Sequence, residues 1–113
     1  MDLNNKQTRK KGQNKMQNNT IGKHKTKIFI NQEGIKCVKY HDTVVFKLDL
    51  NNKHIVLNSG GYHTNTTKSR INQSLNNFGF NNIKVFQKAY EWYISINNII
   101  NPIEFQDNII IDF

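Results

Sequence analysis

The sequence predicts a small α+β domain, one helix on a curved antiparallel sheet, preceded by a flexible basic arm. Short apolar alternations at strand period begin near Lys27 and recur on both sides of a single segment with helical period. Asparagine and glycine clusters fall between them where turns are needed. The positive charge gathers at one end. Of 113 residues, 16 are Lys or Arg and 8 are Asp or Glu, a net charge of +8. Residues 1–27 hold eight of those cations (Lys6, Arg9, Lys10, Lys11, Lys15, Lys23, Lys25 and Lys27) against one acid, Asp2, and the rest of the chain is close to neutral.

Residues 1–26 contain only Leu3, Met16 and Ile21 as sizeable apolar side chains. That is too little to offset the entropy of ordering, so they are expected to form an arm that is disordered in isolation, with a single domain over 27–113. The first strand spans Ile28 to Ile30, and the turn Gln32-Glu33-Gly34 leads to a second over Ile35 to Tyr40. Thr43 to Leu50 reads as the third, with Val44, Phe46, Leu48 and Leu50 on one face and Thr43, Val45, Lys47 and Asp49 on the other. Asn51-Asn52-Lys53 then turns into a hairpin partner, Ile55-Val56-Leu57. After Gly60-Gly61 comes the helix, about 66–78. Thr66 or Thr67 is its expected cap, Ile71, Leu75 and Phe78 its buried stripe, and Gly79 its left-handed terminator. Ile83 to Lys88 and Trp92 to Ile96 read as a hairpin around Ala89-Tyr90-Glu91, and Ile103 to Phe105 with Ile109 to Phe113 as a last strand pair. Pro102 suits a strand start or edge. Trp92, the largest side chain, belongs in the core of so small a domain.

Several function classes are disfavoured. No apolar run reaches the ~20 residues of a membrane span, and no secretory signal is recognisable. The lone Cys37 excludes a disulfide framework and fits a reducing compartment. A zinc site would need three of His24, His41, His54 and His63 to join it, and their spacing resembles no finger. No Gly-x-Ser-x-Gly, phosphate-binding loop or paired carboxylate motif occurs, so neither an enzyme nor a cofactor or metal is expected. The 19 asparagines and 15 isoleucines are codon products of an A/T-rich genome, and the Asn pairs sit where turn geometry tolerates them.

Residues 57–72, LNSGGYHTNTTKSRIN, join Tyr40-His41-Asp42-Thr43-Val44 before them and Glu91-Trp92-Tyr93 after them. Together these segments resemble a family of small bacteriophage and prophage proteins with a His-x-Thr strand, an L-N-x-G-G-aromatic turn, a T-T-K-x-R-I-N helix start and a late Trp-Tyr strand. The resemblance covers about residues 38–113 and leaves the basic tail outside as a private extension. It implies a viral or mobile-element origin and residence in the cytoplasm of the bacterial host, and it implies no reaction.

The leading expectation is a non-catalytic accessory protein that binds nucleic acid. Arg9, Lys10, Lys11, Lys15, Lys23, Lys25 and Lys27 supply sequence-independent attraction to phosphates. Gly60 and Gly61 allow a close backbone approach, Tyr62, Tyr93 and Tyr40 offer stacking rings, and Thr64, Thr66 and Thr67 stand near a helix N-terminus that favours anions. Lys68 and Arg70 place cations in what would be the first helical turn, where the dipole disfavours them, as at a phosphate contact. The plainer reading is a Gly-Gly turn, a Thr cap and two solvated charges. An alternative function is inhibition of a host enzyme or defence complex by the neutral body. A weaker one is a small nuclease using His41, His54 and His63.

Overall fold

A computed structural model describes residues 20–98 and 101–113. It shows the expected α+β class: β1 (Thr26–Ile30), β2 (Lys36–Tyr40), β3 (Thr43–Asp49), β4 (His54–Leu57), α1 (Asn65–Asn77), β5 (Ile83–Lys88), β6 (Glu91–Ile96), β7 (Ile103–Glu104) and β8 (Ile109–Asp112). The strands form two antiparallel sheets instead of one, β1-β2-β3-β4-β8 and β5-β6-β7. The expected last hairpin does not form. β7 pairs with β6 and β8 with β4, so the segment between them crosses from one sheet to the other.

One helix serves both sheets. Phe78 stacks on Phe46 of β3 at 5.3 Å and 10°. Asn72 binds β5 like a strand residue: its Nδ2 donates to the Val85 carbonyl and its Oδ1 accepts from the Val85 amide, both at 2.8 Å. Between these layers lie Val38, Phe46, Leu57, Ile71, Leu75, Val85, Trp92 and Ile94, all buried. At the helix end Gly79, at φ +92°, closes the terminator as the sequence predicts, and the Phe80 amide donates to the Leu75 carbonyl at 2.7 Å.

The face pattern of β3 departs from simple alternation. Val38 pairs with Phe46 while Lys39 pairs with Val44, so Val45 is an extra residue bulged out of the ladder. Val45 and Phe46 are therefore both fully buried, Val44 is only half-buried, and Leu50 lies past the strand end at 61% exposure. A period-two count cannot survive an inserted residue.

The ordered body also begins earlier than residue 27. Ile21 is a core residue, and the Gly22 amide donates to Gln73 Oε1 on the helix at 2.8 Å. Residues 21–25 thus form a strap beside α1. The remainder of the expected arm, residues 1–19, lies outside the described residues.

Candidate functional site

The two segments flagged in the sequence, 40–44 and 57–68, meet in a cleft of about 400 Å³. Its walls are Tyr40, His41, Asp42, Thr43 and Val45 from the β2–β3 turn and β3, and Ser59, Tyr62, Thr64 and Thr67 from the Gly-Gly turn and helix start. The volume falls in the usual range of ligand pockets. Aromatic rings and hydroxyls dominate the lining. Tyr62 is 68% exposed, and the exposed His41 packs edge-on against Tyr40 at 4.5 Å. His41 holds left-handed backbone (φ +53°), fixed by donation from its amide to the Lys25 carbonyl at 2.8 Å. That bond brings the strap, with exposed Lys23 and Lys25, alongside His41.

The Gly-Gly turn is built differently from a phosphate cradle. The Asp107 carboxylate, from the loop before β8, already accepts from the Ser59 amide (2.8 Å), the Ser59 hydroxyl (2.6 Å) and the Gly61 amide (3.1 Å). Asn58 Oδ1 accepts from the Gly60 amide at 3.0 Å. The anion in this turn belongs to the chain itself. Gly60, at φ +67°, is required because a Cβ there would collide with the Thr43 hydroxyl, so the close approach is to β3.

Burial by itself raises the Asp107 pKa, but the bonds from Ser59 and Gly61 and the proximity of His63 outweigh it and hold the carboxyl below its usual range. With its folded value depressed, this group stabilises the fold fully above the unfolded carboxyl range and loses that contribution as pH falls toward the folded value. Asp107→Asn is expected to cost about 1 kcal/mol at neutral pH, kept small by solvent exposure, and to flatten the acid limb of stability below about pH 5. Denaturant titrations across pH check this. An unaltered acid limb would show that the carboxylate does not hold the turn.

The helix cap also differs from expectation. Thr64 is the N-cap, not Thr66 or Thr67: its Oγ1 accepts from the Thr67 amide at 3.2 Å and shares a 2.9 Å bond with the Thr67 hydroxyl. Thr66 is exposed and lines nothing, whereas Thr67 is buried at the cleft floor. Moving the cap upstream places half-buried Lys68 and Arg70 beyond the first three helical positions, where the dipole penalty has largely faded. Arg70 is only 8% exposed. Its Nε donates to Thr26 Oγ1 at 2.9 Å, its Nη1 reaches Gln73 Oε1 at 3.4 Å, and its guanidinium lies over the Tyr40 ring at 5.3 Å. Arg70 clamps the strap to the helix and is turned away from solvent.

Of the sequence-predicted site, Tyr62 and Thr67 line the cleft, Gly60 and Gly61 shape its wall, and exposed Lys23 and Lys25 lie on the strap that bonds to His41. Lys27, next to Thr26 on β1, alternates to the sheet face away from Tyr40 and Arg70. Arg9, Lys10, Lys11 and Lys15 lie outside the described residues. His41, His54 and His63 do not converge, although the His24 ring meets His41 edge-on at 6.4 Å. His63 stacks on buried Trp92 at 4.3 Å and 14°, and the Trp92 Nε1 has no hydrogen-bond partner among the described residues. His54 pairs with Asp49 at the opposite end of β3, about 20 Å of strand from Thr43. Cys37 is buried, and burial pushes its thiol pKa up despite nearby Lys47. Among the described residues no group of three His, Cys, Asp or Glu gathers as a metal site. Tyr40 and His41, read in the sequence as a stacking and a nuclease candidate, fall at the cleft; Asp107 carries no local signal, being 48 positions from Ser59.

No curated protein and no solved structure matches the chain. The family model of the Kyanoviridae Gp96 protein matches residues 5–112. The match takes in most of the basic tail, which is therefore shared family sequence and not a private extension. Over nearly its whole length, the chain belongs to the Kyanoviridae Gp96 protein family, a family of phage proteins.

Proposed function

We propose that this phage protein binds single-stranded nucleic acid without acting on it chemically, the basic N-terminal segment and strap holding phosphates and the cleft receiving a base. What supports the reading is the juxtaposition at the cleft: the rings of Tyr62 and His41 stand at its mouth, and the strap that carries exposed Lys23 and Lys25 is bonded to the His41 backbone. Ring faces flanked by cations are the means by which sequence-tolerant single-strand binders work, since every base can stack and every nucleotide carries a phosphate. The threonine hydroxyls of Thr43 and Thr64 add adaptable hydrogen bonding to a base edge. Within this reading the Gly-Gly turn positions Tyr62 and makes no phosphate contact of its own.

Fluorescence anisotropy with labelled single-stranded DNA and RNA tests it. Tyr62→Ala is expected to weaken binding about tenfold, the effect of one lost stacking partner. His54→Ala, at the far end of the sheet, leaves affinity unchanged. Absence of binding to either oligonucleotide at low salt would refute the nucleic-acid reading. Full affinity in Tyr62→Ala would remove the cleft from it.

A further inference from the structure

Strand β1 is the outer strand of the five-stranded sheet and pairs only with β2. It displays three consecutive large apolar side chains, Ile28 at 55%, Phe29 at 38% and Ile30 at 64% exposure. The direction of its backbone groups follows from two bonds that flank the ladder. The His41 amide donates to the Lys25 carbonyl, and the Asn31 amide donates to the Ile35 carbonyl at 3.0 Å. Both pairs extend the β1–β2 register, and bonded pairs recur at every second residue of an antiparallel ladder. Lys27 and Phe29 therefore turn their amides and carbonyls toward β2, while Ile28 and Ile30 turn theirs outward. The Thr26 carbonyl points outward too, its amide being held by the Lys23 carbonyl at 3.2 Å. Among the described residues no strand pairs with this edge. An unpaired ladder with apolar side chains on both faces is a template for another strand.

We infer that β1 pairs antiparallel with β1 of a second copy of this chain about a two-fold axis at Ile28, joining the two five-stranded sheets. Self-complementarity selects that partner and that register. With the axis at Ile28, each Ile28 exchanges both backbone bonds with its twin, and each Ile30 amide meets a Thr26 carbonyl. Lys27 falls opposite Phe29, an ammonium beside a ring face, and no cation opposes a cation. An axis at Lys27 would set two ammonium groups against each other. An axis at Phe29 would put Thr26 opposite the turn residue Gln32 and strand its carbonyl. The opposite edge, β8, is shorter and exposes one large apolar side chain, Ile110, with a charged neighbour, Asp112. An axis normal to the sheet leaves both helices, and both clefts, on one side of the joined sheet. The pairing is independent of the nucleic-acid reading.

Light scattering coupled to gel filtration on the nuclease-treated full chain in high salt tests it, because those conditions remove bridging by nucleic acid. The expected mass is twice 13.3 kDa at high micromolar concentration. Ile28→Lys is expected to return the chain to a monomer with an unchanged circular dichroism spectrum, and Ile110→Lys to leave the dimer intact. Directly opposed bonded residues stand about 5.5 Å apart, within disulfide reach, whereas the two Phe29 positions are diagonal and beyond it. Ile28→Cys should therefore crosslink under mild oxidation and Phe29→Cys should not, a comparison that decides the matter if Ile28→Lys fails to fold. A full chain that stays monomeric at every concentration overturns the proposal. So do a dimer that survives Ile28→Lys, one dissolved by Ile110→Lys, or the reverse crosslinking pattern.

Discussion

Raising salt from ~50 to ~200 mM is expected to weaken binding of the full chain to a single-stranded oligonucleotide by on the order of a thousandfold. The magnitude follows from where the charge lies. Eight cations precede residue 28 against a single acid, and each phosphate neutralised on a single strand adds roughly 0.7 to the logarithmic salt slope. Five of the eight (Lys6, Arg9, Lys10, Lys11 and Lys15) lie in residues 1–19, and three lie in the strap and β1. A chain beginning at Thr20 retains Ile21 in the core and the Gly22 bond to Gln73, and with them the anchoring of the strap. Its three remaining cations predict only a roughly twentyfold loss over the same salt range. The contribution of Tyr62 should persist in that shorter chain, because stacking on a ring is much less sensitive to salt than phosphate contacts are. Titration of both chains at several salt concentrations separates the two parts. Equal salt slopes would show that the N-terminal segment does not touch phosphate.

What the sequence disclosed and what it concealed divide by the range of the interaction. Gly79 as terminator, Trp92 in the core and the order of strands around one helix follow from residues within a few positions of each other, and local pattern reports them faithfully. Val45 escaped because a bulge is set by pairing with β2 and leaves no mark on period. Asn72 closes the T-T-K-x-R-I-N motif, but its role as a strand-like partner of β5 depends on pairing 13 positions away and has no local mark. The cleft was half visible. Both segments that build it stand out by composition, but nothing local to either brings them together, and the carboxylate that fills the Gly-Gly turn comes from Asp107 near the other end of the chain. A Gly-Gly turn before a helix shows that backbone amides are available, and only the fold shows which anion takes them.

Arg70→Ala is expected to destabilise the domain by about 2–4 kcal/mol, lowering the melting temperature by roughly 10–20 °C. The side chain is 8% exposed and holds three elements at once: Thr26 at the start of β1, Gln73 on the next turn of the helix, and the Tyr40 ring on β2. Truncation leaves a cavity beneath the strap and strips the Thr26 hydroxyl of its donor. Arg70→Lys should recover little, since an ammonium cannot reproduce the directed Nε bond and the flat contact with Tyr40 together. A surface phosphate contact would behave in the opposite way, with affinity lost and stability kept. The packing supplies a second check. A Cβ on Gly22 would stand 2.5 Å from the Arg70 guanidinium carbon, so Gly22→Ala pushes the same clamp open from the strap side. Once Arg70 is truncated that collision no longer exists. The double variant Gly22→Ala/Arg70→Ala should therefore be no less stable than Arg70→Ala alone, a non-additivity expected only of groups in direct contact. Additive losses in thermal or denaturant unfolding would mean that the strap is held by something other than Arg70.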